Sequence, residues 1–520
     1  MANKALFGGS GGGRKSVAKP DTINKAGGSA FSMTDEAALA QYACTGTFND
    51  TFYSSGEAQM KEALVLAQKV SPETLARTAV YAREKGFMKD MPAFLLAVLS
   101  TRDTELFKKT FPKVIDNGKM LRNFVQIMRS GAVGRKSLGS APKKAVRAWL
   151  QGRKDVSLFR DSIGDKPSLA DVIKMVHPVP ENKTRESLYA YLIGKKLSPE
   201  QKTVLPDLVK KYEDFKDKKL LSGELPDVDF RMLSSQPLTE FQWKKIAANA
   251  SWMTTRMNLN TFERHGVFKD PEMVKLIADR LSSASEVAKS RTFPYQLLAA
   301  YKHAEPSIPT QITNALQQAM EHSVTNVEAL GKKTYVLIDV SGSMGSPVTG
   351  VRAGATSKIS CRDVAALIAS VVLRKNPDAE VIVFDTTARR LKLNGFDSIM
   401  TNAEKISCPG GGTNCAAPVA MLNAAKAKGD LLIMVSDNES WAHHADTGLM
   451  REWATFRANN AGAKLVCIDL LANSTTQAKS SKDVLNIGGF SDHVFDVIKG
   501  FVDGSGTPTY WLDQINSVAL

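Results

Sequence analysis

Apolar residues recur every three to four positions from about Thr34 to Leu330, which is the spacing of amphipathic helices. No part of this region shows the alternation of a β-strand, and a succession of helices without strands is typical of a helical-repeat solenoid. The clearest helices are predicted at Glu57–Val70, Glu73–Lys85, Pro92–Leu99, Met120–Met128, Leu169–Met175, Glu240–Ala250 and Ile312–Met320. A capping residue, a proline and an acid mark three further helix starts, at Ser71-Pro72-Glu73, Ser198-Pro199-Glu200 and Asp270-Pro271-Glu272. We therefore predict an all-α domain over residues 31–330.

The pattern changes near residue 331, where short runs of β-forming residues begin to alternate with helices. Strands are predicted at Thr334–Asp339, Glu380–Asp385, Asp430–Asp437 and Lys464–Leu471, with a final edge strand at His493–Val497. The helices between them are predicted at Arg362–Lys375, Cys415–Lys428 and Thr447–Ala461. This alternation predicts a doubly wound α/β domain over residues 331–520, so the fold class is α plus α/β.

The composition of the chain indicates where the protein is expected to be located. The first thirty residues are rich in Gly, Ser and Lys without an apolar core, so residues 1–30 are predicted to be a flexible basic arm instead of a secretion signal. The longest apolar run, around Val364–Leu373, is about half of the ~20 residues that a membrane span requires. Five scattered cysteines favour reduced thiols, and we expect a cytoplasmic protein that does not enter a membrane.

The net charge of +15 is unevenly distributed. Residues 1–330 carry 49 Lys and Arg against 35 Asp and Glu, a net charge of +14, whereas residues 331–520 carry 19 against 18. Within the first part, residues 101–150 hold 12 basic and 3 acidic side chains, a net charge of +9. The partner of this part is therefore expected to be an anion, either a nucleic acid or an acidic membrane surface.

Oxygen-bearing side chains stand where three predicted segments of the α/β domain end. One strand ends on Asp339, followed by Ser341 and Ser343; Thr413 follows a run of three glycines, and Asp437 ends another strand. The carboxyl ends of parallel strands meet at one edge of a sheet, and hard oxygen ligands suit Mg²⁺. The alternative is that the two aspartates only cap the helices that follow. This order of residues resembles the metal-ion-dependent adhesion site of von Willebrand factor A (vWA) domains, which implies a divalent cation, Mg²⁺, at these five positions.

A loop with three glycines and several cations lies in the most basic stretch. Its backbone can approach a ligand closely, and its cations can neutralise phosphates. The candidate RNA-binding residues are Arg129, Arg135, Lys136, Lys143, Lys144, Arg147, Arg160 and His177. The alternative is a solvated helix face, and for His177, which precedes Pro178, a structural role at a helix end.

The residues of a catalytic set are not recognisable. The serines of the metal pattern have no adjacent general base, and His443-His444 are interpreted as surface loop residues because neighbouring side chains point apart. We therefore predict a protein that is not an enzyme.

An all-α region with a basic Gly-Arg-Lys-Ser loop at 134–137, followed by a vWA domain with the metal pattern, resembles the Ro ribonucleoprotein (TROVE) family, and its short loops resemble bacterial members. The resemblance implies a ring of HEAT-like repeats closed by the vWA domain. It implies Y RNA on the outer basic surface, single-stranded ends of misfolded RNA in a central hole, and a role in RNA quality control or maturation. It also implies a monomer that works with an exoribonuclease.

Three classes of function stay open at this point. The first is a non-enzymatic RNA-binding scaffold, which the charge distribution favours. The second is a metal-dependent protein-adhesion module whose basic surface is incidental. The third is a metal-dependent phosphoesterase.

Overall fold

The computed structural model describes residues 17–218, 224–290, 292, 294–325, 327–352, 357–441, 448–504 and 507–520. The first sixteen residues of the predicted arm and the pair His443-His444 lie outside the described residues.

Every regular element described between residues 35 and 323 is helical, as predicted. The helices are α1 (Asp35–Thr45), α2 (Gly56–Lys69), α3 (Pro72–Glu84), α4 (Asp90–Arg102), α5 (Thr104–Val114), α6 (Gly118–Ser130), α7 (Ser140–Gly152), α8 (Asp155–Arg160), α9 (Leu169–Val176), α10 (Lys183–Leu192), α11 (Pro199–Thr203), α12 (Asp207–Lys216), α13 (Phe230–Leu233), α14 (Glu240–Asn249), α15 (Trp252–Met257), α16 (Leu259–Arg264), α17 (Pro271–Ser282), α18 (Ala284–Ser290), α19 (Pro294–His303) and α20 (Thr310–Ser323). None of the described helices is both long and apolar enough to span a bilayer.

The predicted helix starts are confirmed by their caps. Ser71 accepts a hydrogen bond from the backbone of α3, Ser198 forms a reciprocal capping box at α11, and Asp270 caps α17. In each case proline is the first helical residue, where its missing N–H costs nothing. The local sequence therefore determines where these helices begin.

Residues 331–520 form the predicted α/β domain around a six-stranded sheet. Its strands are β3 (Thr334–Asp339), β4 (Glu380–Phe384), β5 (Ala388–Leu391), β6 (Leu431–Ser436), β7 (Lys464–Asp469) and β9 (Val484–Gly488). The order across the sheet is β5-β4-β3-β6-β7-β9, and only the edge strand β5 is antiparallel to its neighbour. The helices of this domain are α21 (Cys361–Lys375), α22 (Ile399–Ile406), α23 (Ala417–Ala424), α24 (Gly448–Asn459), α25 (His493–Asp503) and α26 (Tyr510–Asn516).

Each face of the sheet buries its own apolar cluster. Val336 and Ile338 of β3 belong to a core that continues into the helical domain, whereas Tyr335 and Leu337 face a separate core with α23 and α24. Both faces of β3 are thus covered, which explains its unbroken run of buried residues.

The predicted edge strand at His493–Val497 is wrong, because this segment begins helix α25. Its buried residues are Val494, Val497, Ile498 and Phe501, which have the spacing of a helix face. The edge of the sheet is formed instead by β9.

The predicted flexible arm is wrong for the part that the structure describes. Two short strands, β1 (Thr22–Ile23) and β2 (Ser29–Ser32), pair antiparallel, and β2 pairs with β8 (Thr475–Thr476) of the α/β domain. Phe31 is buried, and Asn24 Nδ2 donates to the Ser440 carbonyl at 2.7 Å. Burial of Phe31 and pairing of the backbone hold this segment in place despite its polar composition.

The helical domain contacts the α/β domain at both of its ends. Near its start, Trp511 Nε1 of α26 donates to Tyr81 Oη of α3 at 3.1 Å, and this bond is buried. Near its end, Lys302 of α19 pairs with Asp363 of α21 at 2.6 Å. The series of helices therefore begins and ends on the same α/β domain.

Candidate metal site and basic surfaces

The structure brings four of the predicted metal-site residues into direct contact in one buried crevice. Asp339 ends β3, Ser341 and Ser343 lie in the turn after it, and Asp437 follows β6, the parallel neighbour of β3. The Ser341 N–H donates to Asp339 Oδ1 at 2.9 Å, and the hydroxyls of Ser341 and Ser343 are 3.3 Å apart. Ser343 is also close enough to Asp437 to lower the pKa of that carboxyl group, against the effect of burial. The crevice at the ends of β3 and β6 thus collects two carboxylates and two hydroxyls.

The fifth residue, Thr413, is buried in the glycine-rich loop before α23. This loop is tied to the serine turn, because the Gly342 N–H donates to the Gly411 carbonyl at 2.8 Å. Asp385, just past β4, supports the loop through the Gly411 N–H at 3.2 Å. Asp385 was not among the predicted metal-site residues, although it stands at the end of a predicted strand in the same way as Asp339.

The two aspartates of the crevice are fully buried. Burial raises the pKa of Asp339, and the charge of Asp437 raises it further. Burial also raises the pKa of Asp437, whose Oδ2 atom has no hydrogen-bond partner among the described residues. Two neighbouring buried carboxylates disfavour the doubly ionised state unless a cation stands between them.

This set of donors fits a hard divalent cation. Carboxylate and hydroxyl oxygens are the ligands that Mg²⁺ selects, and the unpartnered Asp437 oxygen supplies a free lone pair. The described residues contain no group of three or more His, Cys, Asp or Glu side chains placed to hold a metal ion. The fit of this crevice therefore depends on hydroxyls beside two carboxylates.

Three further residues belong to the crevice, although no sequence motif indicated them. Ser436 Oγ donates to Asp339 Oδ2 at 2.6 Å and orients that carboxylate. Tyr53, between α1 and α2, lies close enough to the crevice that, after burial, the charge of Asp437 raises its pKa. Glu439 is buried and accepts from the Ala26 N–H at 3.0 Å through Oε2.

The basic loop lies between α6 and α7 and has the conformation that its glycines permit. Gly131, Gly134 and Gly139 have φ angles of 90°, 77° and 74°, in the left-handed region that residues with a Cβ rarely adopt. The cations Arg129, Arg135, Lys136 and Lys144 are exposed, and Lys143 and Arg147 are half-buried. The loop thus presents several cations on a defined backbone.

Part of this charge lines an open groove of about 480 Å³ between the α4–α5 junction and the start of α7. Arg102, Lys108, Arg135 and Lys144 contribute the cations, and Ser100, Thr101, Thr104 and Ser140 contribute hydroxyls. Among the lining residues that the structure describes, none is acidic. Phosphate oxygens are bound by cations and hydroxyl donors of this kind.

Three of the predicted RNA-binding residues also have structural partners. Arg147 Nε donates to the Val176 carbonyl, which ties α7 to α9. Arg160 pairs with Asp227. His177 caps α9 with a left-handed backbone, and its side chain is exposed.

A second cationic surface, which the sequence analysis missed, lies where the two ends of the helical domain meet the α/β domain. It is a cleft of about 670 Å³. Its lining includes the cations Arg83, Lys85, Lys89, Arg256 and Arg352 and the aromatic residues Phe87, Tyr295 and Phe490. Burial lowers the pKa of Lys89, and the charges of Lys119 and Arg83 lower it further. These residues are far apart in sequence, so only the fold could identify the cleft.

Comparisons with known proteins agree with this two-part architecture. A TROVE domain model matches residues 102–341, and a Ro60 vWA domain model matches residues 333–502. The RNA-binding protein RO60 of Deinococcus radiodurans is 23% identical over 521 residues, which cover 92% of this chain and 95% of that protein. The RNA-binding protein RO60 of Caenorhabditis elegans is 25% identical over 252 residues, which cover 45% of this chain and 38% of that protein.

The fold is also shared with a solved structure. The crystal structure of the Deinococcus radiodurans RO (RSR) protein superposes with a TM-score of 0.61 at 19% sequence identity. The match covers 91% of this chain and 100% of that chain. At this identity the match shows a common fold, which includes both the helical part and the vWA-like part.

Proposed function

We propose that this chain is an RNA-binding scaffold. It belongs to the Ro family, whose TROVE and vWA domains it carries in that order. In this proposal small noncoding Y RNA binds the outer basic surface, and single-stranded ends of misfolded RNA enter the space enclosed by the helical and vWA domains. The scaffold acts in RNA quality control or maturation in the cytoplasm, as a monomer, and hands RNA to an exoribonuclease instead of cutting it.

The observation that carries the proposal is the uncompensated charge around the α6–α7 loop. Among the described residues, Arg135, Lys136, Lys143 and Lys144 have no acidic partner within ion-pair distance, whereas other cations of the helical domain do: Arg83, Arg153, Arg185 and Lys244 each pair with a carboxylate. Cations that no protein carboxylate neutralises are available to phosphates, and the release of counterions from RNA then favours binding. The groove beside this loop adds hydroxyl donors to the same surface.

The large cleft supports the second part of the proposal. Single-stranded nucleic acid is bound by cations that follow the backbone and by aromatic rings on which bases stack. The cleft offers both, and the exposed side chains of Met253 and Met257 add apolar contact area. A cleft of about 670 Å³ has room for part of a single strand.

The vWA domain has a separate role in this proposal. Asp339, Ser341, Ser343, Thr413 and Asp437 hold Mg²⁺, which supplies an open coordination position for a carboxylate of a protein partner. The unpartnered Oδ2 of Asp437 favours this second function, metal-dependent adhesion, alongside RNA binding. The near-neutral charge of residues 331–520 fits a protein partner better than a polyanion.

One set of binding measurements tests the proposal. A structured noncoding RNA is titrated with purified protein at several salt concentrations, with Mg²⁺ or with EDTA, and the RNA is examined for cleavage. We expect salt-dependent binding that EDTA leaves unchanged, with intact RNA. RNA binding that EDTA abolishes would favour a metal-dependent module, and turnover of the RNA would favour a phosphoesterase.

A further inference from the structure

The residues that follow Asp437 connect two parts of the candidate metal site. The Glu439 N–H donates to Asp437 Oδ1 at 3.4 Å, whereas Asp437 Oδ2 has no hydrogen-bond partner among the described residues. The Ser440 hydroxyl donates to the Thr413 carbonyl at 3.3 Å and accepts from the Cys415 N–H, also at 3.3 Å. The segment of Glu439 and Ser440 therefore links the loop of Asp437 to the loop of Thr413.

A turn of the N-terminal arm, between β1 and β2, is docked on this segment. Asn24 Nδ2 donates to the Ser440 carbonyl at 2.7 Å, and the Ala26 N–H donates to Glu439 Oε2 at 3.0 Å. The side chains of Asn24, Glu439 and Ser440 are all buried. A Cβ placed on Gly28 would lie 2.0 Å from the Ser440 carbonyl oxygen, so a side chain there would displace the turn. The turn thus packs directly against the backbone of the linking segment.

The turn itself is held in a defined conformation. Asn24 Oδ1 accepts from the Gly28 N–H at 2.7 Å, and the Asn24 N–H donates to the Gly28 carbonyl at 2.8 Å. Lys25 Nζ donates to the Ala472 carbonyl of the vWA domain and to Tyr42 Oη of α1, both at 3.1 Å. The side chain of Asn24 therefore closes the turn through its oxygen and binds the linking segment through its nitrogen.

We propose that Asn24 is a positioning residue of the metal site, which acts through Ser440 on the two loops that carry metal ligands. The inference rests on the metal binding proposed above and adds the N-terminal arm to the support of that site. Groups that hold metal ligands in place contribute to metal affinity although they do not touch the ion. By linkage, a bound cation should stabilise the docked turn by the same factor by which the turn strengthens metal binding.

The Asn24→Ala variant tests this role. Affinity for MgCl₂ and MnCl₂ is measured calorimetrically on the full-length protein, and the loss of a buried hydrogen bond predicts affinities about three- to tenfold lower for both ions. Asn460→Ala is the matched control, since Asn460 is also buried. Its Oδ1 accepts from the Gly429 N–H at 3.1 Å and its Nδ2 donates to the Phe456 carbonyl at 2.9 Å, at the opposite end of β6 from Asp437.

Gly28→Ala perturbs the same contact in a different way. Its Cβ pushes the turn away from Ser440, while every atom of Asn24 is kept. We expect metal affinity to fall in this variant as well. Thermal melts in EDTA compare the stability of all three variants.

Hydrogen exchange on the wild type gives a readout that needs no variant. Mg²⁺ should slow amide exchange in a peptide that covers the docked turn, residues 22–30, relative to EDTA. Exchange at Gly429, which is bonded to Asn460 away from the metal site, should stay unchanged. In Asn24→Ala the protection of the turn by Mg²⁺ should be lost.

The possible outcomes separate this inference from the proposed function. A wild type that binds neither Mg²⁺ nor Mn²⁺ would overturn the metal site and this inference together. A wild type that binds metal, with Asn24→Ala within twofold of it, would overturn the role of Asn24 alone. Equal losses in Asn24→Ala and Asn460→Ala would overturn it in favour of general stability. If Asn24→Ala does not fold, exchange in the wild type decides, because a turn that Mg²⁺ leaves unprotected would overturn the coupling.

Discussion

At the scale of single residues, the α/β domain buries carboxyl groups where three neighbouring strands end. Asp339, Asp437 and Asp469 lie at the carboxyl ends of β3, β6 and β7, and all are buried. Burial raises the pKa of each carboxyl group. Both oxygens of Asp469 are used within the loop that follows β7, since they accept hydrogen bonds from the Leu471 N–H at 3.1 Å and from Asn473 Nδ2 at 3.2 Å. We therefore assign Asp469 a structural role behind the metal site.

Asp469 makes the stability of the protein depend on pH. Its pKa is raised in the folded state, so the folded protein keeps a proton that the unfolded chain releases above a pH of about 4. The free energy of unfolding should consequently fall as pH rises through the interval between the two pKa values. Asp469→Asn keeps an acceptor for the Leu471 N–H and does not titrate, so its melting temperature relative to the wild type should be higher at pH 8 than at pH 4.

Melting temperatures of both proteins in EDTA, measured at half-unit pH steps, check this expectation. A constant difference between the two curves would show that Asp469 is held ionised in the folded state.

Residue roles could be predicted only where the chemistry is local in sequence. Asp339, Ser341 and Ser343 stand within five positions, so the turn after one strand was enough to propose them. Ser436 and Asp339 are 97 positions apart, and Tyr53 belongs to the other domain. Such partners are set by the register of β3 against β6 and by the docking of the α1–α2 loop, neither of which a local pattern specifies.

At the scale of elements, helix α7 is the structural support for the basic surface. Replacing Lys143, Lys144 and Arg147 together with Ala should weaken RNA binding and flatten its dependence on salt. Each lost phosphate contact removes about 0.9 from the slope of log affinity against log salt on duplex targets. Because Arg147 also donates to the Val176 carbonyl, the Lys143→Ala/Lys144→Ala pair should be measured beside the triple variant.

The control for α7 is a pair of exposed lysines in the vWA domain. Lys479→Ala/Lys482→Ala removes the same charge from the chain, and it should change affinity and slope much less. A slope that stays unchanged in the α7 variants would move the contacts elsewhere, with the inter-domain cleft as the next candidate.

Elements could be predicted where their patterns were long. Helix α3, predicted at Glu73–Lys85, was located to within one residue at each end, and the capping signal at Asp270 located the start of α17. Short helices such as α8, α11 and α13 have four to six residues, too few to establish a period. The wrong edge strand at His493–Val497 has the same cause, because five residues contain too little of the helical face of α25.

At the scale of the whole molecule, the position of the cleft follows from contacts that the sequence did not reveal. The helical domain meets the α/β domain through Tyr81 and Trp511 at one end and through Lys302 and Asp363 at the other. Helix patterns predict how many helices follow one another, but not whether the last returns to the first. The ring was therefore predicted only from the resemblance to the Ro family.

A cleft lined by cations and aromatic rings predicts a preference for RNA shape. An RNA helix with a free 3′ single-stranded tail should bind more tightly than the same helix with blunt ends, because the tail reaches the cations and rings of the cleft. The tail should show little sequence preference, since backbone contacts and stacking dominate. Fluorescence anisotropy with the two RNAs checks this, and equal affinities would contradict a tail site in the cleft.

The two parts of the molecule should also be separable by mutation. The uncompensated cations lie around α6 and α7, whereas Asp339 lies in the near-neutral vWA domain. Asp339→Ala should therefore lose Mg²⁺ and a protein partner and keep affinity for blunt-ended RNA, which uses only the outer surface, within about threefold, a difference below 1 kcal/mol. Calorimetry with MgCl₂ and anisotropy with blunt-ended RNA give the two readouts.

Asp339 also stabilises the fold, because it accepts hydrogen bonds from the Ser341 N–H and from Ser436 Oγ. Loss of such bonds costs about 1 kcal/mol each, so a destabilised Ala variant would lose all functions together. Asp339→Asn keeps one acceptor oxygen and removes the charge that a cation requires, and it should bind no metal while melting close to the metal-free wild type. A folded Asp339→Asn protein that no longer binds blunt-ended RNA would contradict the division of labour, because RNA recognition would then depend on the metal site.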